Sequence, residues 1–294
     1  MARMGGVATR AEQLLGVSVV ATTPVAGGDI CTSTRLRLSD GRSALIKTRP
    51  HAPKDLFVRE AEGLTWLAEA GGAPVPPVLG VSQECLVLAW VEHGRAGGDA
   101  AERFGRALAS THASGSETFG APIDAYIGLA PLPNTSAATW TEFFVSRRVM
   151  PYVKAAHDRG SLTGDEARVI EQLMHRIEEF AGPPEPPSRV HGDLWSGNLI
   201  WGHDDAVHLI DPAAHGGHRE TDLAMLTLFG TPHLQRILDA YDESAPLAEG
   251  WQARAPLHQL HPLLVHALMF GSGYGVRAAA AAQAVLDGTA GRDS

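Results

Sequence analysis

The chain has 294 residues, enough for one large domain or for two lobes with separate cores. Hydrophobic residues make up 44% and charged residues 19%, an ordinary globular balance that excludes a low-complexity or disulfide-stapled chain. The 24 Lys and Arg stand against 33 Asp and Glu for a formal charge of −9, which argues against the basic footprint that nucleic-acid backbones require.

Residues 1–16 lack the continuous apolar stretch of a signal peptide, and Ala2 stands where myristoylation needs glycine. Cys31 and Cys85 form no metal or redox spacing, so a reducing cytoplasm is the expected location. The first ninety or so residues read as strands with one helix. Short β-branched or alternating runs at 17–23, 34–38 and 43–48 are separated by Gly27-Gly28-Asp29 and by the turn Ser39-Asp40-Gly41. Residues 55–70 place Phe57, Ala61, Leu64, Leu67 and Ala68 at helical spacing and stop at Gly71-Gly72. A proline connector (Pro74, Pro76, Pro77) leads to a last buried strand over 84–91.

Beyond Gly94 helices are expected at 99–114, 139–159, 163–181, 219–229 and 233–242, with more turns after Ala255. A Pro-rich break at 182–187 precedes a strand-loop-strand unit over 190–210. Residues 255–276 carry no Asp, Glu, Lys or Arg, but His258, His261, Pro262, His266 and three glycines make a buried helical hairpin the better reading than a membrane span. The run 278–284 reads as helix, with a frayed tail behind it. The expected class is α+β and bilobal: an N-terminal lobe over 1–92, a hinge near 89–92, and a larger helical lobe over 93–294, with a cleft between them.

The chemistry gathers in His191-Gly192-Asp193-Leu194-Trp195-Ser196-Gly197-Asn198 and in Leu209-Ile210-Asp211. Phosphoryl transfer from ATP needs a carboxylate near the attacking hydroxyl and oxygen ligands for Mg²⁺ on the phosphates. Asp193 is expected to be the base or orienter of the acceptor hydroxyl, Asn198 and Asp211 the metal ligands, and His191 the residue that holds the loop in shape. Upstream, such a kinase needs a lysine on the third strand and a glutamate on the next helix to orient the α- and β-phosphates. Lys47 ends the apolar strand Ala44-Leu45-Ile46-Lys47. Glu60 is preferred to Glu62 as its partner, because it shares a helix face with Leu64 and Leu67. Gly27, Gly28, Asp29 and Ile30 are read as the turn over the phosphates, and Ala89, Trp90 and Val91 as the hinge that pairs with adenine.

These residues resemble the fructosamine-3-kinase (ketosamine-3-kinase) family, relatives of the aminoglycoside phosphotransferases and choline kinases. The likeness runs from about residue 14 to 276. It includes the Leu-Trp-Ser insertion after Asp193, the stretch Gly217-His218-Arg219-Glu220-Thr221-Asp222-Leu223-Ala224-Met225, and Phe270-Gly271-Ser272-Gly273-Tyr274. The resemblance implies a protein-kinase-like fold and ATP-dependent phosphorylation of the 3-hydroxyl of ketosamines, whose phosphate ester decomposes and frees the amine. It implies Trp195 as a wall of the sugar site, with His215, His218 and Arg219 as further acceptor-side candidates, and Asp222 as a tie between the catalytic loop and its neighbouring helix. Small-molecule or protein-bound ketosamines are the expected partners, without nucleic acid or membrane, and a monomer is expected over a dimer.

Departures from the family pattern fall on the acceptor side. Ala214, His215 and Gly216 stand where relatives carry an aromatic pair, and His258 and His261 where they carry tyrosines. They keep open an alternative, a kinase of the same fold acting on another small polyol or amino sugar. Zinc at His258, His261 and His266, or at His215 and His218, lacks a completing carboxylate or thiolate and is not expected. Cys31 reads as a packed thiol.

Overall fold

The computed structural model describes residues 2–26 and 30–288. Its N-terminal part is a five-stranded antiparallel sheet of β1 (Val19–Val25), β2 (Thr32–Leu38), β3 (Ser43–Thr48), β4 (Val78–Val81) and β5 (Cys85–Ala89), ordered β1-β2-β3-β5-β4. Strand alternation explains how this sheet is covered on two faces. Leu36, Leu38, Ala44, Ile46, Cys85 and Val87 form one cluster with Ala11 of α1 (Ala2–Leu15). Leu86 and Leu88 point the other way, onto Phe57, Ala61 and Leu64 of α2 (Leu56–Ala68). This is why 85–88 reads as an unbroken apolar run: both faces are buried. Leu45 packs on the α2 side, and Lys47, two residues on, shares its face.

Helix α1 and strand β4 were absent from the expected elements. The α1 signal is one-sided (Val7, Ala11, Leu14, Leu15) and diluted by Gly5 and Gly6. Strand β4 follows directly on the prolines, which read as connector only.

The larger part is mainly helical. Helix α3 (Gly98–Ala113) comes first, and two short strands, β6 (Ala125–Ile127) and β7 (Ala130–Leu132), form a hairpin after it. The expected helix over 139–159 is α4 (Trp140–Phe143), a π-helical turn (Phe144–Val149) and α5 (Met150–Asp158) in succession. Pro151 has no N–H to give the Arg147 carbonyl, and the ladder widens around it. After α6 (Gly164–His175) come β8 (Ser188–Val190), β9 (Leu199–Trp201), β10 (Val207–Leu209) and β11 (His215–Gly217), then α7 (Glu220–Phe229), α8 (Leu234–Ser244), α9 (Trp251–His258), α10 (Leu260–Phe270) and α11 (Ser272–Leu286).

Two cores support this lobe. Phe104, Leu108, Leu194, Leu209, Leu223 and Tyr241 lie beneath the loop 191–198, while Phe143, Tyr152, Ile170, Leu264 and Ala282 join the remaining helices. Helices α3 and α8 meet closely at Gly105, where a Cβ would stand 2.3 Å from the Ile237 carbonyl oxygen. The apolar stretch after Ala255 is split among α9, α10 and α11, and no helix among the described residues is long and apolar enough to cross a membrane.

Candidate active site

A cleft of about 1630 Å³ lies between the sheet and the helical part, lined by residues of both. Strand β3 delivers Lys47 into it and α2 delivers Glu60; Nζ lies 2.6 Å from Glu60 Oε1 and 2.7 Å from Asp211 Oδ1. Burial by itself would lower the Lys47 pKa. The Glu60 and Asp211 carboxylates outweigh it and hold the ammonium above its ordinary value, so this lysine stays charged. Glu62 points elsewhere, 2.6 Å from Arg59. The choice between the two glutamates follows from helix geometry, since Glu60 is one turn from the buried Leu56 and Leu64.

Asp211 follows β10 with φ +54°, a left-handed conformation uncommon for a residue with a Cβ. Its backbone turn sends the chain back under the loop that leaves β8, where Ala213 N–H donates to the His191 carbonyl at 2.9 Å. Gly192, between them, has φ +81°, and a Cβ there would meet the Ala213 carbonyl oxygen at 2.3 Å, so only glycine fits. His191 is wholly buried and holds the loop from both ring nitrogens. Nε2–H donates to the Ile210 carbonyl at 2.9 Å, and Nδ1 accepts from the Asp193 N–H at 3.2 Å. Burial lowers its pKa, in keeping with this neutral tautomer.

Asp193 is thereby placed beside the short 3₁₀ turn Ser196–Asn198. The Asn198 amide nitrogen donates to the Asp193 carbonyl at 2.8 Å and to its Oδ2 at 3.1 Å. Burial, only partly offset by this hydrogen bond, pushes the Asp193 carboxyl up to about 7, where a general base is poised. The loop is anchored from below by Asp222 of α7, which accepts from His191 N–H at 2.7 Å and Gly192 N–H at 2.9 Å. His112 Nε2 lies 3.1 Å from the same carboxylate, and its Nδ1 lies 2.7 Å from the Tyr241 hydroxyl. Burial would raise the Asp222 pKa, but these donors hold it below the usual carboxylate range. Nothing in the local sequence marks His112 for this position; helix packing alone brings it there.

Val25, Ala26, Leu45, Leu88, Leu199 and Ile210 make an apolar slot beside Ala89, Trp90 and Val91. The Ala89 and Trp90 N–H groups are already bonded, to the Pro77 and Ser43 carbonyls. Arg35 stacks on Trp90 at 4.5 Å. Ile30 lines the cleft and its carbonyl accepts from Arg49, whereas Gly27, Gly28 and Asp29 lie outside the described residues.

On the acceptor side Trp195 is partly exposed, folded over Gly197 and edge-on to Phe229 with centroids 6.1 Å apart. His215 borders the cleft but is buried, its Nδ1 2.8 Å from the Ala213 carbonyl and its pKa held near 3 by burial. His218 and Arg219 do not line the cleft. His218 packs on Trp140 and His258, and Arg219 grips Glu185 and the Ala245 and Pro246 carbonyls. Their sequence neighbourhood suggested a site; the start of α7 turns them away from it. The three histidines weighed for zinc lie apart: His258 stacks on Trp140, His261 meets Tyr152 edge-on, and His266 packs at a tilt against Phe229. His218, Glu220 and His258 do converge, with ligand atoms within 4.8 Å of one another. Arg254, however, donates to both Glu220 oxygens at 2.6 and 3.0 Å, so a guanidinium already balances the carboxylate.

Residues 6–288 match the family model described as fructosamine kinase. The chain belongs to the fructosamine kinase family. It is 37% identical over 251 residues to the "probable ketoamine kinase" of Thermus thermophilus, covering 85% of this chain and 88% of that one. It is 31% identical over 262 residues to the chloroplastic protein-ribulosamine 3-kinase of Arabidopsis thaliana, covering 85% and 78%. A crystal structure of a "putative fructosamine-3-kinase" from Thermobifida fusca superposes with a TM-score of 0.91 at 48% identity, over 96% of this chain and 98% of that one. A choline kinase from Streptococcus pneumoniae shares the fold alone, with a TM-score of 0.64 at 16% identity over 97% of each chain. This fructosamine kinase family member therefore has the bilobal α+β fold of the protein-kinase-like enzymes.

The donor set suits a nucleotide's Mg²⁺. Asn198 commits its amide nitrogen to Asp193, and its Oδ1 has no hydrogen-bond partner among the described residues. The Asp211 side chain is 43% exposed to the cleft, and both would offer the hard oxygen ligands that Mg²⁺ takes.

Proposed function

We propose that this chain is an ATP-dependent kinase that phosphorylates the 3-hydroxyl of ketosamines, free or protein-bound, and so initiates release of the amine. The observation that carries the reading is the placement of Asp193, poised near neutrality, in the same cleft as the Lys47–Glu60–Asp211 cluster. In this reading residues 1–92 bind the nucleotide and residues 93–294 carry the catalytic loop and the acceptor site, in a monomeric cytoplasmic enzyme.

The apolar slot takes the adenine, and Lys47, held by Glu60, aligns the α- and β-phosphates. Mg²⁺, held by Asn198 and Asp211, would neutralise phosphate charge. Asp193 accepts the proton of the acceptor hydroxyl as its oxygen bonds to the γ-phosphorus and the bond to the departing ADP oxygen breaks. His191 and Asp222 fix the loop so that this carboxylate needs no rearrangement. Trp195 offers its ring face to the apolar face of the sugar.

The test is ATP consumption with Mg²⁺ against ribulose-lysine, fructose-lysine and several aminoglycosides, with Asp193→Asn as control. Turnover on a ketosamine that disappears in the control is expected. Turnover on aminoglycosides or other polyols alone would instead support the alternative acceptor class raised by Ala214, His215 and Gly216.

A further inference from the structure

The acceptor end of the cleft is walled by aromatic rings from three helices. Phe229 closes α7, His266 and Phe270 lie on α10, and Tyr274 lies on α11. They touch in sequence from Trp195: Trp195 to Phe229 is 6.1 Å, Phe229 to His266 is 5.1 Å, and His266 to Tyr274 is 5.0 Å between centroids. Phe270 is 53% exposed, an apolar rim at the mouth.

Arg277, three residues after Tyr274 on α11, is exposed and lies just outside the residues that line the cleft, with Cζ 5.6 Å from the Tyr274 centroid and 5.9 Å from that of Phe229. Two other arginines of this lobe end on carboxylates, Arg219 on Glu185 and Arg254 on Glu220. Arg277 forms no ion pair or side-chain hydrogen bond among the described residues and stands beside the two rings. His266 does not add a second cation. Its Nδ1 lies 2.7 Å from the Pro262 carbonyl, and burial lowers its pKa, with Arg277 adding to the effect. The positive charge here thus belongs to Arg277, in a chain whose formal charge is −9.

We propose that Arg277 forms the far end of the acceptor site and selects ketosamines of free lysine, through the α-carboxylate, over adducts on lysine within a protein. The inference rests on the ketosamine reading above. With the sugar hydroxyl at Asp193 and the sugar face on Trp195, the glycated amine starts its tail beside Phe229. From Trp195 to Phe229 is one step of 6.1 Å, and from Phe229 to the guanidinium another of 5.9 Å. The methylene chain of lysine, extended to about 8 Å at ordinary bond lengths, runs along the rings and brings its carboxylate to Arg277. A guanidinium near rings, with no carboxylate partner among the described residues, has N–H groups to offer a carboxylate. In a polypeptide the same position is a neutral amide, which has no charge to offer.

The experiment compares kcat/KM for ribulose-lysine and ribulose-lysinamide, which differ only in the carboxylate, in the wild-type enzyme, Arg277→Gln and Arg277→Lys. The wild type should favour the carboxylate by roughly fivefold to tenfold, through KM, as a charge-assisted pair in a partly wet cleft allows. Added salt should narrow that ratio. Arg277→Gln should bring it near unity, and Arg277→Lys should keep part of it. Equal values for the two acceptors in the wild type, or a preference that survives in Arg277→Gln, would overturn the role of Arg277 and leave the ketosamine reading standing. No turnover on either would overturn both.

Discussion

Asp222→Ala removes a carboxylate that is wholly buried and does not line the cleft, and its effect follows from the bonds it breaks. Two buried backbone donors, His191 N–H at 2.7 Å and Gly192 N–H at 2.9 Å, lose their acceptor, and His112 loses its contact at 3.1 Å. Each unsatisfied buried donor costs about 1–3 kcal/mol, so the two amides alone predict a loss of about 2–6 kcal/mol. That is a large share of the roughly 5–15 kcal/mol that holds a folded domain together. Urea unfolding followed by tryptophan fluorescence should show the midpoint reduced by roughly 1–2 M. The same loop carries Asp193, so kcat should fall by ~10-fold or more while the KM for ATP changes little. The pH dependence has a definite sign. Asp222 has a folded pKa below its unfolded one, so its contribution is complete above the ordinary carboxylate value near 4 and disappears as the pH falls through the folded value. The gap between wild type and variant should therefore close in acid. A midpoint within about 0.2 M of wild type at neutral pH would refute the anchoring role.

Asp193→Asn should reduce turnover by roughly 10²–10⁴-fold with ATP binding nearly unchanged, measured by steady-state kinetics and nucleotide titration. Because burial raises this carboxyl to about 7, its ionisation opposes folding increasingly from pH 4 to 7, and the Asn variant should gain thermal stability over wild type across that window. The wild-type rate should rise with pH through the same region, and a flat profile from pH 6 to 8 would count against Asp193 as base. Asp211→Ala should raise the Mg²⁺ and ATP concentrations needed for half-maximal rate; an unaltered metal requirement would remove Asp211 from the ligand set. Glu220→Gln breaks the buried pair with Arg254 and should cost about 3–5 kcal/mol in denaturant unfolding, with Zn²⁺ or a chelator leaving the wild-type melting temperature unmoved.

The proposed catalytic set stands out in the sequence because it is local. His191, Asp193 and Asn198 lie within eight residues, and their roles follow from one loop and one short 3₁₀ turn. The partner of Lys47 was also legible, since helix periodicity sends Glu60 inward with Leu64 and leaves Glu62 to Arg59. The histidines of the acceptor side were not. His215 belongs to a buried strand and His218 precedes a helix whose start turns it onto Trp140, and neither direction is encoded by neighbours in sequence. The π-helical turn was hidden because Pro151 is compatible with the start of a helix as well as with its distortion.

What the sequence determined by itself is the family and the candidate chemistry: an ordered series of polar residues at fixed short spacings, several on elements whose periodicity shows which way they point. Tertiary structure decided which distant groups complete that chemistry. Asp211 reaches Lys47 across 164 residues, and His112 meets Asp222 across 110. Arg277 comes to lie on Phe229 because α7 and α11 share one wall of the cleft. Such pairings depend on how helices and sheet pack, and packing is set by the summed burial of many apolar side chains, which no short motif contains.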